Sequence, residues 1–114
     1  MKFLEYFDFS EQYLSKKIKE LSAGYRQKLN LIQALSRESR LVILDEPTSN
    51  LDFTSIEKLK KLILELNSQN RAFLVVSHNF NLVRDVANRC ILIKDGEKVY
   101  EGKVDEVLRY AKRI

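Results

Sequence analysis

The chain has 114 residues, of which 45 % are apolar and 32 % charged, with a formal net charge of +4 and a single cysteine. Those numbers exclude a disordered tail and a disulfide scaffold, and they suit one compact domain able to bury its own core. The longest apolar runs, Leu41–Leu44 and Ala72–Val76, fall far short of the roughly 18 residues a membrane span needs, and the first residues carry Glu5 and Asp8 with no signal-peptide pattern.

Residues from about Ser10 to Leu21 read as a short amphipathic helix, with Leu14, Ile18 and Leu21 on one face. A second helix starts near Ser22, a good N-cap residue, and carries Tyr25, Leu29, Ile32 and Leu35 on one stripe. Leu41-Val42-Ile43-Leu44 is continuously apolar rather than alternating, which predicts a strand covered on both faces, as in a parallel sheet. Pro47 breaks the chain. Asp52 can cap a long helix that buries Ile56, Leu59, Leu62, Ile63 and Leu66. Ala72 to Val76 reads as a second buried strand, followed by a helix with Leu82, Val83 and Val86. Cys90 to Lys94 is a third strand, in which Cys90 reads as a buried thiol rather than a nucleophile. Asp95-Gly96 marks a tight turn into a short strand at Lys98–Tyr100, and a last helix runs from about Val104.

Strands alternating with helices predict an α/β fold: parallel strands with flanking helices, closed by a C-terminal β-hairpin. Gly and Pro together number four, with no repeat or linker composition, so no domain boundary is expected. The lysine clusters at Lys16, Lys17, Lys19 and at Lys58, Lys60, Lys61 lack interleaved aromatics. They read as solvated helix faces, and no direct nucleic-acid contact is expected. One free thiol agrees with a cytosolic location.

Four residue groups carry chemistry. A strand ending in Asp45-Glu46 delivers two carboxylates to the crevice where open α/β sheets bind ligands. Asp45 is placed to hold Mg²⁺, mostly through water, and Glu46 to polarise an attacking water. Alone, four apolar residues followed by Asp-Glu read equally well as a buried strand and a surface turn. Ser22, Ala23 and Gly24 open a helix whose free N–H groups form an anion site, although an ordinary serine cap beside a glycine gives the same pattern. His78, the sole histidine, directly follows a buried strand.

The order of these groups resolves them. Asp45-Glu46-Pro47-Thr48-Ser49-Asn50-Leu51-Asp52 resembles the Walker B and D-loop stretch of ABC-type ATPases. Leu21-Ser22-Ala23-Gly24-Tyr25-Arg26-Gln27-Lys28-Leu29 resembles the family signature, and Val75-Val76-Ser77-His78 the strand that ends in its switch histidine. The resemblance runs from about Tyr13 onward, and the signature looks most like importer or exporter ATPases of the ABC-2 type. It implies the C-terminal part of an ABC-type P-loop NTPase fold, with residues 1–38 a helical-subdomain portion and 39–114 the core. It further implies Mg²⁺ at Asp45, Glu46 as catalytic base and His78 as γ-phosphate sensor. Ser22, Ala23 and Gly24 would close over the partner's nucleotide in a head-to-tail dimer, with Asp52 in the D-loop. ATP and Mg would be the cofactors, and a second ATPase domain and a transmembrane permease the partners, which puts the chain at the cytoplasmic face of the membrane. Ala23 replaces the usual first glycine, Tyr25 the usual glutamine and Phe53 a common proline.

One expected part is missing. A P-loop needs G-x-x-x-x-G-K-[ST], and the only glycines are Gly24, Gly96 and Gly102. At Gly102-Lys103 the first glycine position holds Glu97 and the hydroxyl position Val104. The central P-loop strand is therefore absent. Ala72–Ser77 and Cys90–Lys94 must either pair directly or leave unpaired edges. The chain reads as a fragment, from a split gene, a truncation or a partial gene, whose other piece bears the P-loop. Two alternatives stand beside a transporter ATPase: a non-catalytic module lending its signature helix to a partner's P-loop, and half of a DNA-repair or chromosome-maintenance ATPase. The last needs a long coiled coil before the signature, where only about twenty residues precede it.

Overall fold

The computed structural model describes residues 22–113. The helix expected over Ser10–Leu21, and the lysines on it, lie outside the described residues. The chain divides into two compact units, Met1–Val76 and Ser77–Ile114. No linker composition announces this division, because the boundary falls directly after a strand rather than in a Gly- or Pro-rich segment.

The first unit contains helix α1 (Ala23–Ser36), strand β1 (Leu41–Asp45), helix α2 (Phe53–Ser68) and strand β2 (Ala72–Val76). Both helices start on a side-chain cap, as expected. Ser22 Oγ accepts from the Tyr25 N–H at 3.2 Å, and Asp52 Oδ1 accepts from the Ser55 N–H at 2.8 Å. Strands β1 and β2 pair in parallel, from Leu41 opposite Ala72 to Asp45 opposite Val76. Helix α1 packs on β1 and α2 on β2. The core takes Leu31, Ile32 and Leu35 from α1, Val42 and Leu44 from β1, and Leu59, Leu62, Ile63 and Leu66 from α2. Tyr25, Leu29 and Ile56, expected on the buried stripes, are only half-buried.

Two expectations fail here. The strands are not covered on both faces: Leu41, Ile43, Leu74 and Val76 are 51–61 % exposed. Burying such a side chain is worth about 1.5–3 kcal/mol, so a continuous apolar run marks a face meant for cover that the described residues do not supply. Lys60 does not lie on a solvated face either. It is buried, and its Nζ reaches Glu57 Oε1 at 3.5 Å, one helical turn away.

The second unit contains helix α3 (Phe80–Val86), strand β3 (Arg89–Lys94), strand β4 (Glu97–Lys103) and helix α4 (Val104–Ala111). Strands β3 and β4 form an antiparallel hairpin with an irregularity between Leu92 and Ile93. Its two-residue turn holds Asp95 at φ 53° and Gly96 at φ 77°, the double positive φ that such hairpins need. Helix α4 packs on the hairpin and on α3, Leu82 and Val107 are buried, and Tyr100 stacks on Tyr110 with ring centroids 4.7 Å apart. Strand β4 is longer than the expected Lys98–Tyr100. Cys90 is half-buried rather than fully buried, and its partial desolvation raises the thiol pKa.

Among the described residues the strands form two separate two-stranded sheets, β1-β2 and β3-β4. Each two-stranded sheet therefore keeps unpaired strand edges among the described residues. Ile91 and Ile93 on β3 are exposed as well.

Candidate functional site

The first unit brings the start of α1 against the turn that follows β1. Strand β1 ends at Asp45, whose position opposite Val76 continues the open apolar face of Ile43 and Leu74. Asp45 is exposed. The next residue, Glu46, adopts a left-handed backbone at φ 47°. Its N–H donates to Val76 O at 2.7 Å, which extends the ladder by one bond, while its carbonyl accepts from the Ser49 N–H at 3.2 Å and closes a turn around the fully buried Pro47. Asp45 and Glu46 therefore stand at the carboxyl end of the sheet, and the chain turns directly after them.

Two contacts join this turn to α1. Gln27 Nε2 donates to Glu46 O at 3.3 Å and to Pro47 O at 3.0 Å. A Cβ at Gly24 would lie 2.9 Å from Asn50 O, so glycine is what allows the loop before α2 to approach the helix start this closely. Asn50 itself takes φ 62°, a conformation asparagine tolerates better than most residues. Ala23 is not among the described residues with positive φ, so its extra methyl group sits on an ordinary helical backbone. Ser22, Ala23 and Gly24 stand together at the helix start, where Ser22 and Ala23 are exposed and Gly24 is half-buried. Asp52 follows the same loop and caps α2. Its hydrogen bonds from Ser55 hold the carboxyl pKa below its ordinary 3.8.

His78 belongs to the second unit, where it is exposed. The turn around it is fixed by its neighbours: Ser77 Oγ accepts from the Asn79 N–H at 2.9 Å, and Asn79 Oδ1 accepts from the Leu82 N–H at 3.1 Å to cap α3.

Two residues central to this geometry carry no sequence signal for the contacts they make. Gln27 acts through its side-chain amide on a turn 19 and 20 residues away. Arg71 donates from Nε to Ser39 O at 3.1 Å, from Nη1 to Leu35 O at 2.9 Å and from Nη2 to Arg37 O at 2.9 Å, closing the carbonyl end of α1. Neither periodicity nor capping rules point to contacts of that span.

Among the described residues no cluster of three or more acidic, histidine or cysteine side chains could cage a metal.

Comparison with known proteins follows the same lines. Residues 1–49 match the ABC transporter family. The chain is 35 % identical over 106 residues to YhaQ, an ABC transporter ATP-binding protein of Bacillus subtilis, covering 93 % of this chain and 35 % of YhaQ. It is 36 % identical over 83 residues to the arabinose import ATP-binding protein AraG of Paraburkholderia xenovorans, covering 73 % of this chain and 16 % of AraG. The dimeric ABC transporter cassette MJ0796 superposes with a TM-score of 0.81 at 31 % identity, covering 90 % of this chain and 44 % of the cassette. The chain thus spans about a third of YhaQ and less than half of the cassette. Its fold is that of a portion of the P-loop NTPase cassette, and its sequence is similar to the ATP-binding proteins of ABC transporters.

Proposed function

We propose that this chain is the signature- and Walker-B-bearing portion of an ABC transporter's ATP-binding subunit, coupling Mg·ATP hydrolysis to transport. One observation carries the reading: the start of α1 is packed against the turn that follows Asp45-Glu46, through Gln27 and the close approach of Gly24 to Asn50. An anion-accepting helix start and a pair of strand-end carboxylates then belong to one packed unit, as hydrolysis at a shared interface requires.

In this reading Asp45 holds Mg²⁺ largely through water, Glu46 is the general base and His78 senses the γ-phosphate. Ser22, Ala23 and Gly24 close over the nucleotide of a second ATPase domain in a head-to-tail dimer, beside Asp52 in the D-loop. Residues 1–38 form a helical-subdomain portion and 39–114 the core. A P-loop-bearing fragment completes the nucleotide site and covers the open faces of both sheets. A permease subunit holds the assembly at the cytoplasmic face of the membrane. Ala23-Gly24-Tyr25-Arg26-Gln27 supports an ABC-2-type transporter, while the arabinose importer among the relatives gives a sugar-import alternative.

The test is reconstitution. The chain alone should bind Mg·ATP poorly, because the phosphate-cradling loop is absent from its sequence. Co-expression with a P-loop-bearing fragment should yield a soluble complex that hydrolyses ATP. Micromolar Mg·ATP affinity of the chain alone, read by titration calorimetry, would contradict the reading. The missing P-loop motif also favours a second reading, a non-catalytic module that lends its signature helix to a partner. A complex that binds ATP through the partner, with turnover indifferent to Glu46→Gln, would select it.

A further inference from the structure

We propose that Gln27 is a positioning residue for Glu46: its side-chain amide holds the left-handed backbone from which the Glu46 carboxylate projects. The proposal rests on the reading of Glu46 as the base, and its geometry stands on three observations. Glu46 has φ 47°, a region that an L-residue with a long side chain enters only at a cost and keeps only when its surroundings hold it there. The carbonyls of the peptide links before and after Pro47, Glu46 O and Pro47 O, both accept from the single nitrogen Gln27 Nε2, at 3.3 and 3.0 Å. Pro47 is fully buried, so its carbonyl sits where solvent replaces a lost donor poorly.

An amide NH₂ has two protons, and the turn presents two successive carbonyls. Glutamine thereby reads the peptide orientation on both sides of Pro47, which a methionine of the same length cannot do. Because Gln27 stands one turn into α1, the direction of the Glu46 carboxylate is set by the helix that opens with Ser22. A displacement of that helix would move the base with it.

Hydrogen-exchange mass spectrometry on the full chain tests this without nucleotide, and it reads monomers and dimers alike. In Gln27→Met, exchange in a peptide spanning residues 45–51 should rise about tenfold or more, the scale of losing such hydrogen bonds. A peptide from α2, residues 56–66, should stay at the wild-type level. Adding Glu46→Gly should restore protection of the turn, since glycine occupies the left-handed region unaided. A residue that merely packs would show no such rescue. Unchanged exchange at residues 45–51 in Gln27→Met, or a double variant as labile as the single one, overturns the proposal. Should Gln27→Met exchange globally, Gln27→Lys decides. It keeps a donor of similar reach, so retained protection supports the proposal and loss overturns it. Turnover that survives Glu46→Gln in the reconstituted complex would remove the base and leave these exchange results standing, so the two failures are separable.

Discussion

The guanidinium of Arg71 and the carbonyl of Leu35 meet at 2.9 Å, across 36 residues of sequence, and this bond closes the end of α1 opposite to the one that carries Ser22. Helix α1 has no basic residue in its last turn and leaves the helix at Arg37 in an extended conformation. The last four carbonyls of a helix have no partner within it. Arg71 takes three carbonyls with one planar fork, those of Leu35, Arg37 and Ser39, and so fixes the loop that leads into β1.

Arg71→Ala should therefore destabilise the chain by about 1–3 kcal/mol, measured by urea unfolding followed by circular dichroism. Two of the three bonds are solvent-exposed, which keeps the figure near the lower end. Arg71→Lys should recover only part of the loss, because an ammonium cannot span three carbonyls in one plane. Full recovery by lysine would show that charge at the helix end, not the fork, is what matters.

Gly24→Ala sets two effects against each other. Alanine is the better helix former by about 1 kcal/mol in a helix interior, and less at its first turn. The added Cβ, however, would lie 2.9 Å from Asn50 O, and a backbone carbonyl cannot swing aside as a flexible side chain can. The clash should win, with a net destabilisation of about 1–2 kcal/mol, the range of modest overpacking. A melting temperature equal to or above that of the wild type would contradict this.

The cap at Asp52 gives a pH dependence with a definite sign. Hydrogen bonds from Ser55 lower its pKa from the ordinary 3.8, so the folded chain favours the carboxylate. Its contribution is fully present above about pH 4 and fades as pH falls through the lowered value. Asp52→Ala should cost about 1 kcal/mol at neutral pH, and the gap from wild type should narrow in acid. Asp52→Ser keeps a neutral cap, so its stability relative to Asp52→Ala should be independent of pH across the same range.

Solubility should respond to the open sheet faces. Ile43 and Leu74 are neighbours on the exposed face of β1-β2, each more than half accessible. The chain alone should self-associate, and Ile43→Lys with Leu74→Lys should reduce that association without lowering helix content. Sedimentation velocity on wild type and double variant decides. A monodisperse monomeric wild type would remove the premise.

Within a reconstituted nucleotide site, Asp45 and Glu46 should separate cleanly. Glu46→Gln should reduce single-turnover hydrolysis by roughly 10²–10⁴-fold while nucleotide affinity holds. Asp45→Asn should weaken both Mg-dependent binding and turnover, since it removes the charge that meets the metal. Equal effects of the two substitutions on affinity would refute this division of roles.

Much of this fold could be read from the sequence, and the reasons are local. Ser22 and Asp52 cap the helices they precede, Asp95-Gly96 turns the hairpin, and the apolar runs at Leu41 and Ala72 pair as parallel strands. Each depends on neighbours a few residues away or on a simple period. What escaped depends on distance along the chain. Gln27 and Arg71 act on backbone carbonyls, and every residue offers a carbonyl, so no pattern of side chains marks the acceptor. The apolar run at Leu41–Leu44 was misleading in one respect. It records the environment a strand is suited to, and the described residues cover only the Val42 and Leu44 side.

The left-handed backbone at Glu46 also bears on any attempt to engineer this chain. Glycine or asparagine at that position adopts φ 47° at lower cost than glutamate. A laboratory selection for heat tolerance alone would therefore favour replacing Glu46, and its winners would be sturdier proteins without the carboxylate. If Glu46 is the base proposed above, screens on this scaffold need a turnover readout alongside the melting curve, because at this one residue thermal robustness and chemistry would pull in opposite directions.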